Sequence, residues 1–144
     1  MRGKDDGCPC GWYRFKTSCF LFADVNLTWE DSRVYCQLHY GHLAEVDTEA
    51  EDAFIRSVVL TIPDLDRVWL GGSDLIKEDE WIWNTSGLVI SSYSNWDDGQ
   101  PDNSGDQGSA DCLCMRQWAD FLWTDTECTA AGMPICETRY HKRI

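Results

Sequence analysis

The sequence predicts an α+β domain stapled by disulfides. Three observations carry this: two capped, partly apolar segments in the first half, short aromatic strands with turns and one long loop in the second, and eight cysteines in 144 residues. A chain of this length buries most of its apolar surface as one domain. No internal repeat, low-complexity tract or interior linker divides it, so 1–7 is read as a flexible N-terminal tail, 8–138 as the domain and 139–144 as a C-terminal tail.

Residues 8–23 (CPCGWYRFKTSCFLFA) hold two aromatic, partly alternating stretches around Lys16-Thr17-Ser18, the pattern of a small antiparallel hairpin. Thr28, followed by Trp29-Glu30-Asp31, reads as a helix N-cap with acids in the first turn; Trp29, Val34, Cys36 and Leu38 supply apolar positions and Gly41 ends the helix. A second helix begins at Asp47 or Thr48. It carries Glu49, Glu51 and Asp52 near its positive end, where dipole attraction accounts for them, and runs through Phe54, Ile55, Val58 and Val59 towards Pro63. From Val68 the pattern turns to short strands, VWLGG and EWIWNTSG, then a loop of roughly thirty residues rich in Gly, Asn, Asp and Ser, then CLCM. Long loops of this kind tend to carry function.

Twenty-five acidic against twelve basic residues give a formal charge of -13, which repels nucleic acid and anionic membranes and attracts divalent cations. No apolar run of about eighteen residues is present, so no membrane span is expected. The cysteine content indicates an oxidising, extracellular compartment. Met1–Gly7 lacks the apolar region of a signal peptide, and the expectation is that a secretion signal has been removed. His39, His42 and His141 form no metal-spaced pair, and GxSxG, Walker A and HExxH segments are absent, so no enzyme is expected. Asn26-Leu27-Thr28 and Asn84-Thr85-Ser86 are N-glycosylation sequons, although Thr28 has a competing role as the helix cap.

The order of motifs over residues 8–138 resembles the C-type lectin-like domain family. The resemblance rests on Cys8-Pro9, Gly11-Trp12, Cys19-Phe20, Trp29, Cys36, VWLGG, Trp81-Ile82-Trp83, Gln100-Pro101-Asp102, Cys112, Trp123-Thr124-Asp125, Cys128 and Pro134-Ile135-Cys136-Glu137. Within the family the chain looks most similar to the perlucin-like secreted lectins of molluscs, through FIR at 54–56, WLGGSDL, QPDN and the Cys112–Cys128 spacing. The resemblance implies the C-type lectin-like fold, with two helices, small antiparallel sheets and a long ligand-binding loop. It also implies the bridges Cys8–Cys19, Cys36–Cys136 and Cys112–Cys128. Cys10 and Cys114 are left over. A fourth internal bridge and a disulfide to a second chain, giving a linked homodimer, both satisfy the even count, and the habit of secreted domains favours the first.

The family uses calcium as a bridge, held by carboxylates and amides while sugar hydroxyls complete its oxygen shell. Gln100-Pro101-Asp102 matches the first ligand motif, which implies a cis Pro101. Its amide-Pro-acid order implies galactose-type rather than mannose-type recognition. Asp125 matches the acid of the second motif, so the resemblance assigns sugar binding to Gln100, Asp102 and Asp125, and metal ligation to the same three. Two usual ligands are replaced: Thr124 stands where the family carries Asn, and Ala110 where sugar-binding members carry Glu. Asp106 and Asp111 are the candidates to replace them. Auxiliary calcium positions fall on Asp74 and Glu78 with Asp111, and on Glu51 with Glu137. Residues 103–111 offer no aromatic to stack on a sugar, and Trp96 and Trp118 are read as core or rim. The reading that follows is a secreted lectin for galactose or N-acetylgalactosamine on the surface glycoconjugates of microbes, serving innate recognition. The alternative is a perlucin-like acidic shell-matrix protein that associates with calcium carbonate.

Overall fold

The computed structural model describes residues 7–101 and 110–140. Asp102 and Asp106 lie outside the described residues. The chain runs β1 (Tyr13–Phe15), β2 (Ser18–Phe22), α1 (Trp29–Leu38), β3 (His42–Leu43), α2 (Glu49–Val59), β4 (Arg67–Ser73), β5 (Ile82–Trp83), β6 (Cys112–Arg116), β7 (Trp123–Thr126) and β8 (Met133–Arg139).

The expected hairpin forms. Tyr13 faces Phe20 and Phe15 faces Ser18, and the turn places Lys16 at φ 54°. Strand β2 pairs with β8, which brings the two ends of the domain together, and Tyr140 continues this order by donating its N–H to Thr17 O at 2.8 Å. The strand path is β1-β2-β8-β4-β6-β7, with β3 on β8 and β5 on β4; the β4–β8 contact is parallel.

Both helices begin where the caps predict. Thr28 Oγ1 accepts from Asp31 N–H at 3.1 Å, and Thr48 Oγ1 accepts from Glu51 N–H at 3.2 Å, each satisfying a donor the first turn leaves open. The end of α1 differs in detail from the expectation. The left-handed residue is Tyr40, at φ 69°, while Gly41 N–H returns to Cys36 O at 2.8 Å, the paired arrangement of a Schellman stop. Gly41 is needed for a different reason: a Cβ there would lie 2.6 Å from Glu137 O.

The apolar core packs Ile55 and Val59 of α2 against Leu70, Leu113, Trp123 and Ile135 of the sheet. A second cluster gathers Trp29, Trp69, Cys36, Cys136 and Cys112 around the bridges. The buried indoles keep their hydrogen bonds: Trp29 Nε1 donates to Leu70 O (2.9 Å) and Trp69 Nε1 to Leu27 O (2.8 Å).

The disulfides are Cys8–Cys19, Cys36–Cys136 and Cys112–Cys128. The favoured fourth internal bridge is absent: Cys10 is an exposed free thiol and Cys114 a buried one. Cys114 lies opposite Thr124 on the β6–β7 ladder, with Sγ 3.2 Å from Thr124 Oγ1, and burial pushes its pKa up to about 11. Of the two, only Cys10 is placed to meet a second chain.

Candidate functional site

The long loop returns to the sheet beside β7. Asp97 N–H donates to Trp123 O at 2.8 Å, and Gln100 N–H donates to Asp97 O at 2.9 Å, closing a turn that delivers Gln100 to the end of the strand. The Gln100–Pro101 peptide is cis, as the motif predicts. Asp125 N–H then donates to Gln100 Oε1 at 3.4 Å, so the structure brings together two motif residues separated by twenty-five positions. Asp125 is buried at 6% exposure.

Neither replaced position offers an oxygen here. Ala110 is buried, and Thr124, at 1% exposure, places its hydroxyl against Cys114. Asp111 is engaged elsewhere: its carbonyl accepts from Asp74 N–H at 3.0 Å, which places it with the Asp74 group.

That group is a second acidic centre. Asp74 is 3% exposed and continues directly from β4, whose glycines allow close packing; Asp79, in a left-handed turn at φ 68°, donates its N–H to Asp74 Oδ2 at 2.9 Å. The ligand atoms of Asp74, Glu78 and Asp79 lie within 4.8 Å of one another. Asp74 Oδ1 and Asp111 Oδ1 are buried without a hydrogen-bond partner. Burial, reinforced by Asp111, raises the Asp74 carboxyl to about 6. Orphaned carboxylate oxygens at this depth are costly unless a proton or a cation joins them, and an all-oxygen donor set suits a hard divalent ion. The residues therefore fit calcium. The sequence pattern points to Glu78 and not to Asp79, whose signal is its place beside Glu78 in the acidic stretch Lys77-Glu78-Asp79-Glu80.

Glu51 and Glu137 occupy a polar groove with His42, Glu45 and Asp47. Glu137 already has partners, accepting from Ser18 Oγ on Oε2 (2.7 Å) and from Glu45 N–H on Oε1 (2.9 Å). Burial, followed by Asp47 and Glu137, raises Glu51 to about 7. Burial thus favours the protonated form of Glu51, and a bound cation would favour the charged one.

Trp96 belongs to the floor of the loop. Its ring meets Trp81 edge-on at 5.0 Å and Trp123 at 5.9 Å, whereas Trp118 is exposed on the short 3₁₀ turn after β6. The sequence also missed Asp52, read as a dipole partner. It is buried and accepts three side-chain hydrogen bonds from the long loop and β7.

The model of the lectin C-type domain family matches residues 25–138. The chain belongs to the C-type lectin domain family. Among relatives of this C-type lectin domain, perlucin of Haliotis laevigata is 36% identical over 132 residues, covering 91% of this chain and 83% of its own. The mouse scavenger receptor C-type lectin carbohydrate-recognition domain superposes with a TM-score of 0.84 at 29% identity, covering 94% of this chain and all of its own. The SPL-1 complex with GlcNAc superposes at 0.82 with 30% identity, covering 93% and 96%. The fold of this domain is a carbohydrate-recognition fold, and no described helix is long and apolar enough to cross a membrane.

Proposed function

We propose that this C-type lectin domain is a secreted lectin that binds galactose-type sugars through Gln100, Asp102 and Asp125, with calcium bridging protein and sugar. The observation that carries the reading is the hydrogen bond from Asp125 N–H to Gln100 Oε1, which joins the two ligand motifs at one point. Gln100 and Asp102 supply amide and acid in the order associated with galactose, and the GlcNAc complex of a structural neighbour supports sugar as the ligand class. With Thr124 turned to Cys114 and Ala110 buried, the calcium shell draws on Asp106, which makes metal binding at this site weak. Asp74, Glu78, Asp79 and Asp111 hold an auxiliary calcium, and Glu51 with Glu137 another. Single-site sugar affinity is low in such a shallow site. An interchain bridge through Cys10 would pair two sites and raise effective concentration.

A second reading is favoured by the charge of -13 together with the Asp74 cluster: an acidic matrix protein, like the perlucins it resembles, that associates with calcium carbonate. A glycan array with millimolar calcium and with EDTA, run on wild type and Asp102→Ala, separates them. The lectin reading expects galactose-type binding that is lost in EDTA and in the variant. Absence of glycan binding by the wild type, with mineral adsorption equal in both proteins, rejects it.

A further inference from the structure

Residues 52, 55 and 59 of α2 share one helix face, and Asp52 is buried there beside Ile55 and Val59. An ionised carboxylate in such a place needs donors. It finds three, none of them cationic. Trp123 Nε1 donates to Oδ1 at 2.8 Å, while Asn95 Nδ2 at 2.7 Å and Tyr93 OH at 3.1 Å both donate to Oδ2. Only an acceptor-only group satisfies all three at once, which is why Asp and not Asn suits the position. Arg56, one turn along α2, adds attraction at longer range but spends its Nε on Asp120 O.

These donors sit on the segment that leads to the sugar motif. Asn95 O accepts from Trp123 N–H (2.9 Å), Trp123 O from Asp97 N–H (2.8 Å), Asp97 O from Gln100 N–H (2.9 Å), and Gln100 Oε1 from Asp125 N–H. Tyr93 also packs edge-on against Trp123 at 5.8 Å. Asp52 is thus the point at which one side chain of the helical layer fixes both the loop and the strand that together present Gln100 and Asp125.

We propose that Asp52 is a positioning residue of the sugar site, an acceptor hub that pins the loop bearing Gln100 to α2 and sets ligand affinity without touching ligand. This rests on the reading of Gln100 and Asp125 as sugar-binding. In Asp52→Asn the Trp123 bond survives on the amide oxygen, but the charged acceptor shared by Asn95 and Tyr93 becomes an NH2 donor, so both must turn from donating to accepting and the loop loses its two charge-assisted bonds to α2. The exchanged pair Asp52→Asn/Asn95→Asp restores complementarity with the roles reversed.

The test measures galactose affinity by calorimetry in calcium, and amide hydrogen exchange, on the whole chain. Asp52→Asn is expected to weaken affinity by about ten-fold, the scale of a lost hydrogen bond to a charged acceptor. It should also speed exchange at the Asp97 and Gln100 amides while β2 and β8 keep their protection. The double variant should recover affinity to within about three-fold, a rescue that a general loss of stability would not give. Unchanged affinity below the melting temperature, or no rescue by a folded double variant, overturns the proposal. If Asp52→Asn does not fold, Asn95→Ala removes the same bond from the loop side, and unchanged affinity and exchange there overturn it equally. A wild type that binds no sugar while Asp52→Asn still loosens Asp97 and Gln100 rejects the lectin reading and the sugar role, but leaves the pin.

Discussion

Asp74 provides a perturbation with opposite effects in two states of the protein. Its carboxyl is raised from an ordinary 3.8 to about 6, with burial the leading cause and Asp111 a contributor. A raised carboxyl pKa means that the folded apo protein holds its proton more tightly than the unfolded chain. Apo stability is therefore highest below the ordinary carboxylate pKa and falls as pH rises towards and through about 6. At about 1.4 kcal/mol per pH unit of displacement, discounted for solvent screening, the penalty at neutral pH is about 1–2 kcal/mol, and weakening of the Asp79 N–H bond in a variant reduces the gain to about 1 kcal/mol. Asp74→Asn removes the charge and keeps the shape. The apo variant should melt higher than wild type at pH 7.5 by about 2–4 °C, and by much less at pH 4.

Calcium reverses the order. Binding at about 100 times its Kd stabilises a fold by about 2.7 kcal/mol, or about 8 °C for a domain of this size. Wild type should show such a rise on adding calcium, shrinking as pH falls below about 6, and Asp74→Asn should show little of it. Scanning calorimetry of both proteins, with EDTA and with calcium, reads all four states. An apo variant less stable than wild type at pH 7.5, or a calcium-induced rise unchanged by the substitution, refutes the account of Asp74 as a strained ligand.

The free thiols should differ sharply in reactivity: iodoacetamide at pH 8 should label exposed Cys10 within minutes and Cys114 only after unfolding, as peptide mass mapping would show, because Cys114 is both buried and raised to about 11. Cys10→Ser should abolish any disulfide-linked dimer on a non-reducing gel, whereas Cys114→Ser should not. Gly41→Ala should cost about 1–3 kcal/mol in urea unfolding, because its Cβ would meet Glu137 O at 2.6 Å and neither backbone can retreat without disturbing β8. Asp102→Ala should remove galactose binding while leaving the urea midpoint within error.

Much of this was legible in the chain because local chemistry and tertiary structure agree there. Thr28 and Thr48 cap as their positions predict, Lys16-Thr17 turns the hairpin, and the family pattern places all three bridges. Strand β3 was not legible: two residues carry no period, and His42-Leu43 becomes a strand only because β8 offers it an edge. The state of Cys114 stays open in the sequence because an even cysteine count says nothing about what lies opposite a strand residue. Across the ladder it meets Thr124, the same residue that replaces a family ligand. Gln100 and Asp125 meet only once the loop has docked alongside β7, so their contact depends on backbone bonds at Asn95 and Asp97 that no local pattern announces.

Asp52 and Asp74 also show why counting acids says little about which of them bind metal. Both are buried, at 3% exposure, and burial pushes both carboxyls up. Asp52 faces Trp123, Asn95 and Tyr93, whose donors satisfy it, so a cation there would displace existing bonds for no gain. Asp74 faces Glu78, Asp79 and Asp111, with one oxygen on Asp74 and one on Asp111 left without a partner, so a cation would complete what the protein leaves open. The distinction lies in the neighbours. In the sequence Asp52 could have been assigned to the core by its spacing to Ile55 and Val59, and a carboxylate on an apolar helix face predicts convergent donors. Asp74 follows a glycine-rich strand and precedes an acidic turn, where Glu78 and Asp79 add further carboxylates and the donor it finds is the backbone N–H of Asp79, and that arrangement suits an ion.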